Sequence, residues 1–175
     1  MSNICKTGLH ALDDAFGGVR SGELTVIAGP SSRANSNVLA ALERGLRTSV
    51  SSVRTSSPLD PDDLHRWTRL QPPGRHRAAF VDSLRMIRGV GPARDAWGFA
   101  LSQLASELEL ALIGTWLTPD GPSNRAGCAD IYNTVAEDPG LLLLVEERPG
   151  ELEVDCIRMF DQGMPIARLR LSLTG

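Results

Sequence analysis

The chain of 175 residues is 42% hydrophobic and 22% charged, with a formal net charge of −3, a composition typical of one globular domain with its own core. So small a net charge, with no long run of one sign, argues against a general attraction to nucleic acid or anionic lipid. The three cysteines are widely spaced and form no C-x-x-C pair, which argues against a disulfide framework and a zinc site. The sequence has no leader pattern and no apolar run of the ~20 residues needed to cross a bilayer, which argues against a membrane span. A single cytoplasmic domain over residues 1–175 is therefore predicted.

The first predicted element is a short amphipathic helix that precedes an apolar strand. Thr7 is placed to cap this helix, Leu12 and Phe16 lie on its apolar face, and Gly17-Gly18 ends it. Gly22 then turns the chain into the strand. A helix, a turn and a buried strand are therefore expected in immediate succession.

The stretch from Leu24 to Ala41 combines an apolar strand, a turn of small residues and a helix, which is the outline of a phosphate-binding loop. In the pattern G-x-x-x-x-G-K-[ST], Gly29 takes the first glycine and Ser36 the final hydroxyl, whereas Ala34 and Asn35 replace the second glycine and the lysine. The replacements remove a residue that adopts φ > 0 without strain and a full positive charge. Weak anion binding by backbone N–H groups is still expected. The candidate binding residues are Gly29, Ser31, Ser32, Arg33, Ala34, Asn35 and Ser36.

Further helices and strands are predicted after the loop. The helix that follows it has an apolar stripe that ends at Leu46, and a second strand is expected near residues 51–55. Asp60 as N-cap and Pro61 at the first helical position predict the next helix.

Residues 78–84 have the pattern of a buried strand, and this strand contains Asp82. This pattern resembles a Walker B strand, whose aspartate holds a magnesium-bound water. Ser36 and Asp82 are therefore the candidate metal ligands, provided that a nucleotide with magnesium binds.

A cluster of basic residues surrounds the strand of Asp82. On a nucleic-acid surface such residues contact phosphates, but aromatic residues are not interleaved here as single-strand binding requires. Solvated surface arginines are therefore favoured over a nucleic-acid interface, and strong DNA binding is not expected. The cluster comprises Arg66, Arg69, Arg75, Arg77, Arg85, Arg88 and Arg94, with His65 and His76 among them.

The second half of the chain is also predicted to alternate between helices and strands. A helix is expected from Asp95, a strand from Ala111, a buried strand at Leu141–Val145 and a hairpin that turns at 161–163. A loop rich in Pro, Gly, Ser and Asn spans 118–130. Its favoured interpretation is a mobile surface loop, with partner binding as the second interpretation.

The segment that leads into the candidate loop carries a more specific pattern than the loop itself. Thr7-Gly8, Leu12-Asp13, Gly17-Gly18 and Gly22-Glu23-Leu24, at their spacing ahead of Gly29, closely resemble the corresponding segment of RecA-like ATPases, above all the C-terminal domain of DnaB-type replicative helicases and their RadA and KaiC relatives. The resemblance covers nearly the whole chain. It implies an α/β RecA-like P-loop core with a mostly parallel central sheet, flanking helices and a C-terminal antiparallel β-hairpin, slightly truncated before the strand of Asp82.

The same resemblance implies that Asp82 corresponds to the Walker B aspartate, while most catalytic positions of the helicases are changed. The changed positions correspond to the glutamate that prepares the attacking water, the glutamine that senses the γ-phosphate and the trans-acting K-x-R. They match Ser57, Trp116, Met159 and Asp161 here. Because several parts of one apparatus have changed together, we assign no catalytic residue and expect no cofactor, with ATP and Mg²⁺ as weak ligands at most.

Three functions follow from these patterns. The favoured hypothesis is a pseudo-ATPase that acts as a binding or regulatory protein, through a protein partner such as a RecA- or DnaB-like relative or through self-association, with a dimer favoured over a closed hexamer. The first alternative is a deviant ATP-binding and hydrolysing DnaB-like protein linked to DNA replication or recombination, in which Arg33 replaces the lysine. The second is a single-stranded nucleic-acid-binding module that uses Arg85 and Arg88.

Overall fold

This computed structural model describes residues 4–47, 49–56, 58–84, 97–118, 140–158 and 166–172. Within these ranges the chain forms helices that alternate with strands over its first two thirds and strands alone after that. The strands are β1 (Ile4–Cys5), β2 (Val19–Arg20), β3 (Leu24–Gly29), β4 (Ser51–Ser56), β5 (Arg77–Asp82), β6 (Ala111–Leu117), β7 (Leu141–Arg148), β8 (Glu151–Arg158) and β9 (Ile166–Ser172), and the helices are α1 (His10–Phe16), α2 (Ser32–Leu46), α3 (Pro61–Arg69) and α4 (Trp97–Glu107).

The central sheet has the strand order β4-β5-β6-β3-β7-β8-β9. Its first five strands in this order run parallel to one another, and β8 and β9 add to β7 in antiparallel pairings. Strands β1 and β2 form a separate antiparallel pair. The predicted mostly parallel sheet with an antiparallel C-terminal hairpin is thus confirmed.

Strand β3 lies at the centre of the fold and is buried along its whole length. Its alternate side chains enter two apolar clusters, Ile27 with residues of α2 on one face of the sheet and Val26 with residues of α4 on the other. A parallel strand covered by helices on both faces is expected to read as a continuous apolar run. The carboxyl end of β3 therefore delivers the chain from the core directly into α2.

Two of the predicted helix boundaries are confirmed. Gly17 ends α1 in the left-handed conformation with φ +78°, and the side chain of Asp60 caps α3 by accepting from the N–H of Asp62 at 3.0 Å. The predicted cap at Thr7 is wrong, because the N-cap of α1 is Leu9. Thr7 instead binds the carboxylate of Asp13, with its N–H and its hydroxyl each 2.8 Å from Oδ1.

The C-terminal part of the sheet contains more strand than the sequence predicted. Strand β7 continues past Val145 to Arg148, and the chain then turns at Pro149-Gly150 into β8. The predicted turn at 161–163 lies outside the described residues. None of the helices in the described ranges has the length and apolar character needed to span a bilayer.

Candidate functional site

The turn between β3 and α2 is shorter than the phosphate-binding motif predicts. Strand β3 ends at Gly29 and α2 begins at Ser32, so only Pro30 and Ser31 separate them. Ser31 is the N-cap, and its Oγ accepts a hydrogen bond from the N–H of Ala34 at 3.2 Å. A serine N-cap stabilises an early helix start. Position 34 holds alanine, so it lacks the glycine that would favour the left-handed conformation of an open loop. Residues 32–36 are therefore helical instead of forming a loop.

Few groups at this junction are available to an anion. The N–H groups of Ser32 and Arg33 lie in the first turn of α2, where no intrahelical acceptor exists, and both residues are exposed. The N–H of Ala34 is already bound to Ser31. The junction thus offers an ordinary helix N-terminus with its dipole, and the side chain of Arg33 is the nearest exposed cation along the helix.

Asn35 stands in place of the motif lysine and faces the interior. The residue is 1% exposed, and its Nδ2 donates to the carbonyl oxygens of Gly29 and Trp116, each at 3.1 Å. These bonds fasten the first turn of α2 to the carboxyl ends of β3 and β6. Gly29 permits the close approach, since a Cβ at this position would lie 2.6 Å from Oδ1 of Asn35 and 2.8 Å from the carbonyl oxygen of Val145.

The two predicted metal ligands do come together. The Oγ of Ser36 donates to Oδ2 of Asp82 at 2.6 Å. The other carboxylate oxygen, Oδ1, accepts from the hydroxyl of Thr115 at 2.6 Å. Thr115 was not identified from the sequence, because its approach depends on the parallel pairing of β5 with β6. Both oxygens of the Walker B-like carboxylate therefore have protein donors.

Arg54, a residue of β4, adds a positive charge beside this carboxylate. Its guanidinium lies 3.9 Å from Oδ2 of Asp82 and 2.9 Å from Oε2 of Glu43. Glu43 also pairs with Arg47 at 2.9 Å, one helical turn further along α2. The Glu43–Arg47 spacing of four residues was the only sequence signal for this network. Two carboxylates and two guanidinium groups balance each other at the edge of the sheet.

These residues do not fit a nucleoside triphosphate in the way that a phosphate-binding loop holds one. Such a loop surrounds the phosphates with backbone N–H groups and adds the charge of its lysine. Here the turn consists of two residues, and Asn35 is turned into the sheet. Within the described part of the chain, no group of three or more His, Cys, Asp or Glu residues is placed to hold a metal ion.

The other positions singled out by the resemblance have separate outcomes. Trp116 is 5% exposed, and its carbonyl oxygen accepts from Asn35, so the indole packs in the core instead of facing a ligand. Residues 57, 85, 88, 94, 125, 130, 159 and 161 lie outside the described ranges.

Arg158 precedes the K-x-R position directly and is buried at 3% side-chain exposure. It donates to Oε2 of Glu23 at 2.7 Å and to the carbonyl oxygen of Gly18 at 3.2 Å. Its guanidinium also lies 5.5 Å from the centre of the Phe16 ring, a favourable cation–π distance. These contacts assign Arg158 to the packing of the N-terminal segment against β8.

Comparison with known proteins yields structural matches only. No family profile and no curated protein matches the sequence. One match is the structure of a DnaB-like replicative helicase, described together with its interactions with primase. It matches 97% of this chain with a TM-score of 0.66 at 12% sequence identity. A KaiC-like protein from the hyperthermophilic archaeon Pyrococcus horikoshii matches 97% of this chain with a TM-score of 0.52 at 13% identity.

The chain spans 61% of the length of that helicase chain and 95% of the KaiC-like chain. Identities at this level carry information on the fold and not on the activity. Both matches cover 97% of this chain, and so include the parallel sheet centred on β3 and the helix α2 that leaves its carboxyl end. The chain therefore has the fold of the RecA-like P-loop superfamily, as found in DnaB-like helicases and KaiC-like proteins.

Proposed function

We propose that this RecA-like domain is a pseudo-ATPase, which does not hydrolyse ATP and acts as a binding or regulatory protein through a protein partner or self-association. The observation that carries the proposal is the inward orientation of Asn35, whose amide is bound to two backbone carbonyl groups. The residue that should carry the phosphate-binding charge is neutral and belongs to the core. A transition state with charge on the transferred phosphoryl group therefore lacks its main electrostatic partner.

The charges around Asp82 support the same conclusion. Its two carboxylate oxygens accept from Ser36 and Thr115, and Arg54 lies nearby. A carboxylate with these partners is stabilised without a divalent cation. The need for a metal at this edge of the sheet is accordingly reduced.

A role in protein binding is supported by apolar surface. Among the described residues, three large hydrophobic side chains are exposed, and the relevant one here is Leu117, at 41%. Leu117 ends β6 next to Thr118, whose N–H binds the carbonyl oxygen of Gly29, so this apolar side chain lies beside the β3–α2 junction. The DnaB-like helicase with the same fold interacts with primase. From this we infer only that a domain of this fold can bind another protein.

The second candidate function, a deviant nucleotide-binding protein, has one observation in its favour. Ser36 and Asp82 are in direct contact, as expected of a pair that shares a magnesium ion. On this alternative, Arg33 supplies the missing positive charge from the exposed first turn of α2. A nucleotide would then bind at the helix N-terminus without a surrounding loop.

Titration with magnesium-ATP separates the two functions. Isothermal calorimetry and thermal unfolding of the purified chain, together with a phosphate-release assay, are expected to show neither binding at millimolar ATP nor turnover. Binding that is lost in Ser36→Ala, and kept in the matched hydroxyl deletion Thr115→Ala, would instead support the nucleotide-binding alternative. Turnover that is lost in either Ser36→Ala or Asp82→Ala would refute the pseudo-ATPase.

Self-association is tested separately by sedimentation equilibrium. We expect a reversible dimer whose dissociation constant rises when Leu117 is replaced by serine, while Leu70→Ser serves as a matched surface control. A monomer at all concentrations, with no protein recovered by affinity capture from the native cell, would contradict a binding role.

A further inference from the structure

A cavity of about 460 Å³ lies at the opposite edge of the sheet from the β3–α2 junction. Gly22 precedes β3, Arg77 is the first residue of β5 and Glu109 precedes β6, and all three line the cavity. These are neighbouring parallel strands, so the cavity opens at their amino ends. Each of β3 and β5 has six residues, which separates this edge from the carboxyl edge by roughly 20 Å.

Two glycines form part of the cavity wall. Gly22 has φ +83°, and its N–H binds the carbonyl oxygen of Leu110 at 2.9 Å, which anchors this wall to the start of β6. On the other side, a Cβ added at Gly74 would meet no atom within 4 Å. The volume lies within the range of cavities that bind small molecules.

Helix α4 ends at the cavity in an unusual conformation. Glu109 has φ +48°, a left-handed conformation that a residue other than glycine rarely adopts. The N–H of Leu110 binds the carbonyl oxygen of Ala105, and the N–H of Glu109 binds that of Ser106, both at 3.1 Å. This pair of bonds is the Schellman ending, which usually places glycine where Glu109 stands. Glu109 lines the cavity at this helix end.

The charged groups of the cavity have no ion-pair partner among the residues that the structure describes. Arg75 and Arg77 line it together with His76 and Glu109, yet within the described part of the chain neither guanidinium forms an ion pair, and neither does Glu109. Arg54 and Arg158, by contrast, both bind carboxylates. Among the described residues, the cavity therefore separates two positive charges without an ion pair from a negative charge without one.

This separation defines the chemistry of a ligand. Guanidinium groups bind phosphate oxygens through paired, charge-assisted hydrogen bonds. A carboxylate accepts hydrogen bonds only, so it complements a hydroxyl or an amino group. A ligand that satisfies all three side chains carries a phosphate at one end and a hydrogen-bond donor at the other.

We propose that this cavity binds a small phosphorylated molecule with a hydroxyl or amino group. Arg75 and Arg77 hold its phosphate, and Glu109 accepts a hydrogen bond from its hydroxyl or amino group. The site is separate from the β3–α2 junction and does not depend on nucleotide binding there. It gives the domain a ligand of its own, beyond the binding role proposed above.

Ribose 5-phosphate is a suitable probe, with inorganic phosphate and ribose as its two halves and sodium chloride at matched ionic strength as the control for screening. We expect saturable binding of ribose 5-phosphate by calorimetry, weaker binding of phosphate and none of ribose. The double variant Arg75→Gln/Arg77→Gln should raise the dissociation constant at least tenfold, given the strength of hydrogen bonds to charged groups. Glu109→Gln should weaken ribose 5-phosphate but not phosphate.

The matched control is Arg66→Gln/Arg69→Gln, which removes two exposed arginines of α3 that do not line the cavity. This control and Ser36→Ala should bind the probe as the unmodified chain does. In the unmodified chain, backbone NMR shifts should move at Gly22 and Gly74 and not at Ser32, a readout that does not depend on any variant folding.

Several results would overturn the proposal. They are an absence of saturable binding, an equal loss in the α3 control, or shift changes confined to the first turn of α2. A further such result is a single-stranded oligonucleotide that binds more tightly than ribose 5-phosphate at equal phosphate concentration and loses its binding in Arg75→Gln/Arg77→Gln. That outcome would assign the arginines to nucleic acid and refute a small-molecule site.

Discussion

Replacing Asn35 by lysine restores the residue that the phosphate-binding motif requires, and we expect this change to destabilise the fold without restoring nucleotide binding. Asn35 is 1% exposed and donates to the carbonyl oxygens of Gly29 and Trp116. A lysine there loses both hydrogen bonds. It also brings an ammonium group into the space between α2 and the sheet.

The magnitude follows from these two effects. Loss of two neutral hydrogen bonds costs about 1–3 kcal/mol in the free energy of unfolding, and burial of an unpaired ammonium adds several kcal/mol unless its flexible stem reaches water. We therefore expect Asn35→Lys to lower the free energy of unfolding by at least about 3 kcal/mol. For a domain whose total stability is of order 5–15 kcal/mol, this is a large fraction.

Urea denaturation followed by circular dichroism measures the loss, and calorimetry with magnesium-ATP measures binding in the folded fraction. Asn35→Ala separates the two effects, because it removes the hydrogen bonds without adding a charge, and should cost about 1–3 kcal/mol. Asn37→Lys is the matched control, since it places the same charge at an exposed position two residues later on α2. If Asn35→Lys were as stable as Asn37→Lys and bound magnesium-ATP, the position would be an open ligand site and the reasoning would be wrong.

Three further changes test other parts of the fold. Glu23→Ala should lower the free energy of unfolding by about 3 kcal/mol in urea titrations, because it leaves the guanidinium of Arg158, which is 3% exposed, without its carboxylate. Arg158→Met removes the charge as well and should cost less, so equal losses would contradict an unpaired buried charge as the cause. Burial, with a smaller contribution from Asp155, raises the pKa of the Cys156 thiol from 9.0 to about 12. Between pH 9 and 12 the folded chain therefore holds a proton that the unfolded chain has lost, and the free energy of unfolding should fall by at most about 1.4 kcal/mol per pH unit as the pH rises. If the alkaline slope were unchanged in Cys156→Ala, this thiol would be excluded as its cause. Glu109→Gly should raise the free energy of unfolding by about 1 kcal/mol, because glycine adopts φ +48° without strain. A lower melting temperature of this variant in thermal unfolding would show that the glutamate side chain stabilises the fold by more than the backbone strain costs.

The elements of the fold could be predicted from the sequence wherever one local signal determined them. The continuous apolar run of β3 indicates burial on both faces, and the Asp60-Pro61 pair indicates a helix start that the structure confirms. Such signals depend on neighbouring residues alone. For this reason the centre of the sheet and the capped helix were predicted correctly.

The structure of the candidate site could not be predicted in the same way. The inward position of Asn35 depends on acceptors for its amide, and one of these belongs to Trp116, 81 residues away in the chain. The pairing of Arg158 with Glu23 spans 135 residues. Thr115 reaches Asp82 only because β5 and β6 are neighbours in the sheet. A motif describes residues in sequence, whereas these contacts depend on which strands lie side by side.

The two edges of the sheet differ in how their polar groups are satisfied. In open α/β sheets, ligands usually bind at the carboxyl ends of the strands. There, the Nδ2 of Asn35 and both carboxylate oxygens of Asp82 have hydrogen-bond partners within the protein, so a ligand that binds these atoms would first have to displace those partners. At the amino ends, Arg75, Arg77 and Glu109 line a cavity without ion-pair partners among the described residues, so a ligand there displaces water and not a protein partner. Because binding depends on this difference between the free and the bound protein, the amino edge is where we expect a small ligand to bind this domain.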